Sequence, residues 1–111
     1  KSFVFAFSGI LQLLRTQRNF KIRLLPLVSV IVTGIYFSIT KYEWIAVLSI
    51  SALVLSLEAL NSSIEKLCDL YSTEQNPKIK IIKDIAAGSV LIASIFAVAI
   101  AVVIFRNYIF E

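Results

Sequence analysis

The sequence contains no histidine, no methionine and a single cysteine, Cys68. The chain therefore cannot build the His/Cys ligand sets that bind zinc, and it cannot form an internal disulfide bond. Any bound metal should be a hard cation held by oxygen ligands. Because the sequence starts at Lys1, we expect a short N-terminal stretch to precede it, and we expect no cleavable signal sequence.

Charged residues are also scarce. They make up 16% of the 111 residues, compared with about 25% in soluble domains. Apolar residues reach 59%, and the mean hydropathy is +0.88. These values predict an integral membrane protein with one domain, residues 1–111. We attribute the net charge of +4 to membrane orientation and attraction for an anionic ligand, with no nucleic-acid binding.

Three uncharged apolar runs predict membrane-spanning helices. The runs are Leu24–Thr40, Trp44–Leu57 and Ile85–Phe105. Since a spanning helix needs about 20 residues, the second run must continue through Glu58 to about Ile64. We expect the spans at about 22–40, 44–70 and 80–106.

Two connections should join these spans. Lys41–Glu43 is the polar break after the first span, and its shortness predicts a tight helical hairpin. The second connection, Tyr71–Asp84, contains the helix breaker Asn76-Pro77. Pro26 should lie in an early turn of the first span, where proline is tolerated.

A further helix is predicted before the first span, at about residues 1–19. Its apolar side chains recur at helical spacing, with polar side chains on the other faces; the apolar set is Phe3, Phe7, Ile10, Leu11 and Leu14. This pattern is typical of an amphipathic helix on the membrane surface. The alternative is a helix packed against the bundle, and both can hold in part.

The positions of the basic residues predict the orientation of the chain. With three spans, Lys41 and Arg106 lie on one side of the membrane. The other nine of the eleven Lys and Arg residues lie on the opposite side. The positive-inside rule then places the N-terminus in the cytoplasm and the C-terminus outside.

One helical face at the end of the second span carries a row of polar side chains. They fall within about a third of the circumference: Glu58, Asn61, Ser62, Glu65 and Asp69. If Trp44 marks the outer interface, Glu58 lies about 21 Å along the helix, just beneath the cytoplasmic surface. Carboxylates at that depth are usually functional. The alternative is polar packing between helices, with Glu65 and Asp69 in water.

This arrangement suits a reaction between a lipid headgroup and a water-soluble reagent. Glu58 could act as a general base. Lys83 and Asp84 should lie level with Glu65 and Asp69, where a lysine could hold phosphate. The sequence contains no Walker loop and no protein-kinase signature, so nucleotide chemistry would need another kind of site.

The segments Glu58–Asp69 and Lys83–Leu91 resemble the prokaryotic diacylglycerol kinase and undecaprenol kinase family, as do Phe7-Ser8-Gly9 and Arg18-Asn19-Phe20. The resemblance implies an all-α fold, with an N-terminal amphipathic surface helix and three transmembrane helices in a homotrimeric bundle. It further implies a location in the bacterial cytoplasmic (inner) membrane, with active sites shared between subunits.

By this resemblance, the protein is a phosphotransferase that moves the γ-phosphoryl group of MgATP to the hydroxyl of a membrane lipid. Glu58 would be the general base, and Asn61 would help to organise the site. The Arg18-Asn19-Phe20 and Lys83–Gly88 variants favour undecaprenol as the acceptor, with diacylglycerol as the alternative.

The resemblance also assigns the nucleotide end of the site. Glu65 would ligate Mg²⁺ that bridges the ATP phosphates, and Lys83 would contact the phosphates. Asp69 and Asp84 would belong to the nucleotide-binding residues. The family usually has a glutamate as a second metal ligand where this chain has Gln17, so Gln17 is a weaker ligand candidate.

Two other classes of function remain open. A transporter or channel lined by Glu58 and Asn61 would need polar groups toward the outer leaflet, and the first and third spans offer few. A catalytically lapsed family member could act as a membrane interaction partner, and Gln17 is the support for that alternative.

Overall fold

The computed structural model describes residues 2–71 and 76–110, except for the side chains of Arg18 and Asn19. These residues form four helices and no strand: α1 (Ser2–Thr16), α2 (Arg18–Phe37), α3 (Lys41–Tyr71) and α4 (Pro77–Ile109). Helices α2, α3 and α4 are long and apolar enough to cross a membrane. The predicted all-α integral membrane fold is confirmed.

Helix α1 leaves its apolar side chains uncovered by its own chain. None of its described residues is buried, and Phe3, Phe5 and Phe7 are largely exposed. Its packing within the chain is mainly against α2. An exposed apolar helix face is what a membrane-surface helix requires.

A short turn at Ser38–Thr40 joins α2 to α3. Ser38 adopts a left-handed conformation (φ 53°) and ends α2. The Thr40 N–H donates to Glu43 Oε1 (2.9 Å), and the Glu43 N–H donates to Thr40 Oγ1 (3.2 Å), which is a capping box. The predicted hairpin is present, but Lys41–Glu43 is the first turn of α3 and not the connection.

The best-packed part of the molecule lies beside this turn, at what we name the turn end of the bundle. Its buried core consists of Ile39, Val47, Ile104 and Phe105. Gly34 permits a close approach there, because an added Cβ would lie 2.8 Å from the Trp44 ring. The candidate site lies at the other end, which we name the polar end.

The expected position of Pro26 is wrong. Helix α2 begins at Arg18, so Pro26 lies in its interior. Since proline has no N–H, the carbonyl of Ile22 loses its usual helical donor. The sequence prediction failed because α2 extends through Lys21 and Arg23, beyond the apolar run.

Helix α4 begins earlier than its apolar run. Asn76 is the N-cap, its side chain accepts a hydrogen bond from the Lys78 N–H (2.9 Å), and Pro77 follows at the first helical position. Residues 77–79, expected before the third span, are therefore helical, and residues 72–75 of the second connection lie outside the described part. Beyond this start, Ala86 and Ala93 are buried against the bundle.

Candidate active site

The polar face of α3 becomes more exposed from Glu58 toward the helix C-terminus. Glu58 is buried, with 5% of its surface exposed. Asn61 and Ser62 are half-buried, and Glu65 and Asp69 are exposed. One helical face therefore connects a protected carboxylate with groups that meet solvent.

The buried Glu58 carboxylate is paired with an arginine of α2. Arg23 Nη1 lies 3.2 Å from Glu58 Oε1, and the exposed fractions of the two side chains are 51% and 7%. Removing a carboxylate from water is costly unless it is paired and hydrogen-bonded. Arg23 therefore compensates the negative charge of Glu58, the residue that the sequence predicts as a general base.

Asn61 and Glu65 form the next contact along this face. Asn61 Nδ2 donates to Glu65 Oε1 at 3.2 Å, one helical turn away. Asn61 Oδ1 is buried and has no hydrogen-bond partner among the described residues. Buried polar atoms normally form hydrogen bonds. Because this oxygen forms none, it is a candidate for contact with a ligand.

Lys83 joins α4 to the polar face of α3. Its Nζ lies 2.8 Å from Asp69 Oδ1. Asp84, the neighbour of Lys83, instead pairs with Lys80 on its own helix, with Nζ 2.7 Å from Oδ2. The structure thus brings Lys83 and Asp69 together and directs Asp84 to a different cation.

Gln17 lies at the junction of α1 and α2, which contacts α3 near Glu65. It is the N-cap residue of α2 and makes no side-chain capping bond. Its neighbour Thr16 accepts a hydrogen bond at Oγ1 from Lys66 Nζ (3.4 Å), and Lys66 is the neighbour of Glu65. This contact places the α1–α2 junction at the polar end, near the level of Glu65.

The polar end supplies part of a set of oxygen ligands for a hard cation. The described residues contain no group of three His, Cys, Asp or Glu side chains arranged for a metal ion. Mg²⁺ at kinase sites commonly uses one or two carboxylates together with substrate phosphates. Glu65 and the unpartnered Asn61 Oδ1 can supply such a partial set, and Gln17 could add an amide oxygen.

An apolar cavity of about 300 Å³ opens beside the Arg23–Glu58 pair. All three long helices contribute to its wall, and most of the lining is aliphatic: Arg23, Pro26, Leu27, Val30, Ser51, Val54, Leu55, Ser94, Ala97 and Val98. Arg23 is its charged lining residue. The cavity could accept a hydrocarbon chain whose polar end lies at Arg23.

Sequence reasoning used Arg23 only to orient the chain and missed its contact with Glu58. A signal was available, because antiparallel helices joined by a tight turn place residues equidistant from that turn at the same level. Arg23 lies 17 residues before Thr40, and Glu58 lies 18 residues after it. The Lys66–Thr16 contact was also missed, and it has no comparable signal because a surface helix can dock in many ways.

Known proteins are similar to this chain over nearly its whole length. The sequence model of the family described as "Prokaryotic diacylglycerol kinase" matches residues 4–105. The chain is 34% identical to "Undecaprenol kinase" of Bacillus subtilis (strain 168), across 95% of this chain and 85% of that protein. It is 40% identical to "Diacylglycerol kinase" of Synechocystis sp. (strain ATCC 27184 / PCC 6803 / Kazusa), across 89% of this chain but 57% of that protein.

Proposed function

Because this chain belongs to the prokaryotic diacylglycerol kinase family, we propose that it is a lipid kinase that transfers the γ-phosphoryl group of ATP to the hydroxyl of a membrane lipid. Undecaprenol is the favoured acceptor, and diacylglycerol is the alternative. The observation that carries this proposal is the buried Glu58, which begins a row of increasingly exposed polar groups and pairs with Arg23, a residue that lines an apolar cavity.

The lipid hydroxyl is placed at Glu58. A hydrocarbon chain in the cavity would direct its polar end toward Arg23 and Glu58, since Arg23 lines the cavity and pairs with Glu58. The Glu58 carboxylate takes the hydroxyl proton as the hydroxyl oxygen attacks phosphorus. A correctly positioned general base typically contributes about 10²–10⁴-fold to the rate.

The nucleotide occupies the exposed part of the polar end. Lys83 and Asp69 lie in contact there, and Glu65 lies one turn beyond Asn61 on the same face. We assign Glu65, Asp69, Lys83 and Asp84 to nucleotide binding. Bound Mg²⁺ would neutralise phosphate charge, held by Glu65, with Gln17 as a weaker candidate. In this proposal, the protein acts mainly by positioning and orienting ATP and the lipid, which is the main requirement of phosphoryl transfer.

The assembly and location follow from the same proposal. We propose a homotrimer in the bacterial cytoplasmic membrane, with the polar end in the cytoplasm, where ATP is available. The exposed apolar surfaces of α2, α3 and α4 would then contact lipid or neighbouring subunits. Lys21, Arg23, Lys66 and Lys83 at the polar end agree with this orientation under the positive-inside rule.

A transfer assay tests the proposed function. The purified protein, reconstituted in lipid bilayers, is given γ-³²P-labelled ATP and Mg²⁺ with undecaprenol, with diacylglycerol, or with neither. We expect label in the lipid fraction, with faster transfer to undecaprenol. Faster transfer to diacylglycerol would reverse the order of acceptors. Label in neither lipid would contradict the kinase assignment and favour a non-catalytic membrane role.

A further inference from the structure

Arg23 contacts both a buried carboxylate and an apolar cavity. Its guanidinium is 3.2 Å from the buried Glu58 carboxylate, and Arg23 also lines the apolar cavity. Its side chain is half exposed, while that of Glu58 is 7% exposed. The carboxylate is therefore shielded from solvent, and the arginine also meets solvent.

The reaction changes the charge on both sides of Arg23. Before transfer, Glu58 is an anion and the lipid hydroxyl is neutral. When the hydroxyl oxygen bonds to the γ-phosphorus, its proton moves to Glu58, the bond from that phosphorus to the β–γ bridging oxygen breaks, and ADP leaves with the electron pair. Glu58 is then neutral, and the lipid carries an anionic phosphate.

We propose that Arg23 exchanges partners during this step, pairing with the Glu58 carboxylate before transfer and with the lipid phosphate after it. This inference rests on the proposed lipid kinase function. Arginine remains charged throughout and can form a two-pronged contact with phosphate. Because of this exchange, Arg23 always has an anionic partner. The lipid phosphate should therefore bind more tightly when Glu58 is protonated.

Glu58→Gln isolates the second state without catalysis, because the amide stands in for the protonated carboxylic acid. Binding of phosphatidate and of undecaprenyl phosphate is measured by ³¹P NMR titration in detergent micelles. A charge-assisted contact to phosphate predicts that Glu58→Gln binds both lipid phosphates about tenfold tighter than the wild-type protein. Diacylglycerol, which carries no phosphate, should bind both proteins with the same affinity, measured by its displacement of phosphatidate.

The double variant Arg23→Gln/Glu58→Gln leaves no buried charge unpaired, so it avoids the folding defect expected from Arg23→Gln alone. It should lose the tenfold gain, and Arg23→Lys/Glu58→Gln should retain a large part of it. The matched control is Lys21→Gln/Glu58→Gln, which removes one positive charge two residues away and should keep the gain. Circular dichroism checks that every variant is folded.

Equal affinities in Glu58→Gln and Arg23→Gln/Glu58→Gln would overturn the partner exchange. An equal loss in the Lys21 control would overturn it too, because the effect would then reflect general surface charge. These outcomes are separate from the proposed function. A wild-type protein that transfers label but shows no Arg23-dependent gain refutes only the partner exchange, and one that transfers no label refutes the lipid kinase.

Discussion

Lys83 Nζ on α4 lies 2.8 Å from Asp69 Oδ1 on α3, at the exposed part of the polar end. The two residues are placed symmetrically about Asn76, since each is seven residues from that N-cap. The pair thus follows directly from an antiparallel α3–α4 hairpin. An exposed ion pair contributes little to stability, so replacing Lys83 should affect folding little and can report on its proposed role in nucleotide binding.

Replacing Lys83 tests its role in holding phosphate. We expect Lys83→Gln to raise the KM for ATP by about tenfold or more and to leave the KM for the lipid unchanged, because one charge-assisted contact to phosphate is lost. Steady-state kinetics at saturating lipid measures this. Lys78→Gln removes the same charge from an exposed lysine at the start of α4 and should keep the wild-type KM. Equal effects of the two changes would contradict a specific role for Lys83.

Gln17 offers a test of the metal ligands. Gln17→Glu adds a negative charge at the α1–α2 junction, so we expect half-maximal transfer at a lower Mg²⁺ concentration, by about threefold or more. The measurement is the initial rate as a function of free Mg²⁺. Gln12→Glu makes the same chemical change at an exposed residue of α1 that is not a proposed ligand, and it serves as the control. An unchanged Mg²⁺ requirement in Gln17→Glu would show that residue 17 is not a ligand.

The close packing of Gly34 predicts a stability effect at the turn end. In Gly34→Ala the new methyl would lie 2.8 Å from the Trp44 ring and 3.1 Å from Ile39 Cδ1, so the half-buried Trp44 ring must shift. We expect a loss of about 1–3 kcal/mol in the free energy of unfolding, measured by chemical denaturation in detergent. Gly9→Ala is the control, because an added Cβ there meets nothing within 4 Å. A Gly34→Ala variant as stable as wild type would contradict the observed packing.

Much of the helical architecture could be predicted from the sequence, because apolar runs long enough to span a membrane leave few alternatives. The polar face of α3 was also predictable, since it depends only on residue spacing within one helix. The limits of the helices were less certain. Pro26 lies inside α2 and residues 77–79 belong to α4, because helical hydrogen bonding continues past the end of an apolar run.

Contacts between helices divide into two kinds. The Arg23–Glu58 pair can be recovered by counting from the turn at Ser38–Thr40, and the Lys83–Asp69 pair by counting from Asn76. Within α4, the Lys80–Asp84 pair could have been predicted from its four-residue spacing. In contrast, the Lys66–Thr16 contact depends on how α1 docks, and no periodicity in the sequence determines that.

The most direct test of the central claim is the initial rate of phosphoryl transfer by Glu58→Gln in lipid bilayers. The amide preserves the size of the side chain but cannot accept the hydroxyl proton, so the rate should fall by about 10²–10⁴-fold, with the oligomer unchanged on size-exclusion chromatography. Glu43→Gln is the matched control: it makes the same change on the same helix at the turn end, and glutamine is also accepted in a capping box. It should transfer at close to the wild-type rate. A Glu58→Gln variant that kept most of its transfer rate would contradict the assignment of Glu58 as the general base.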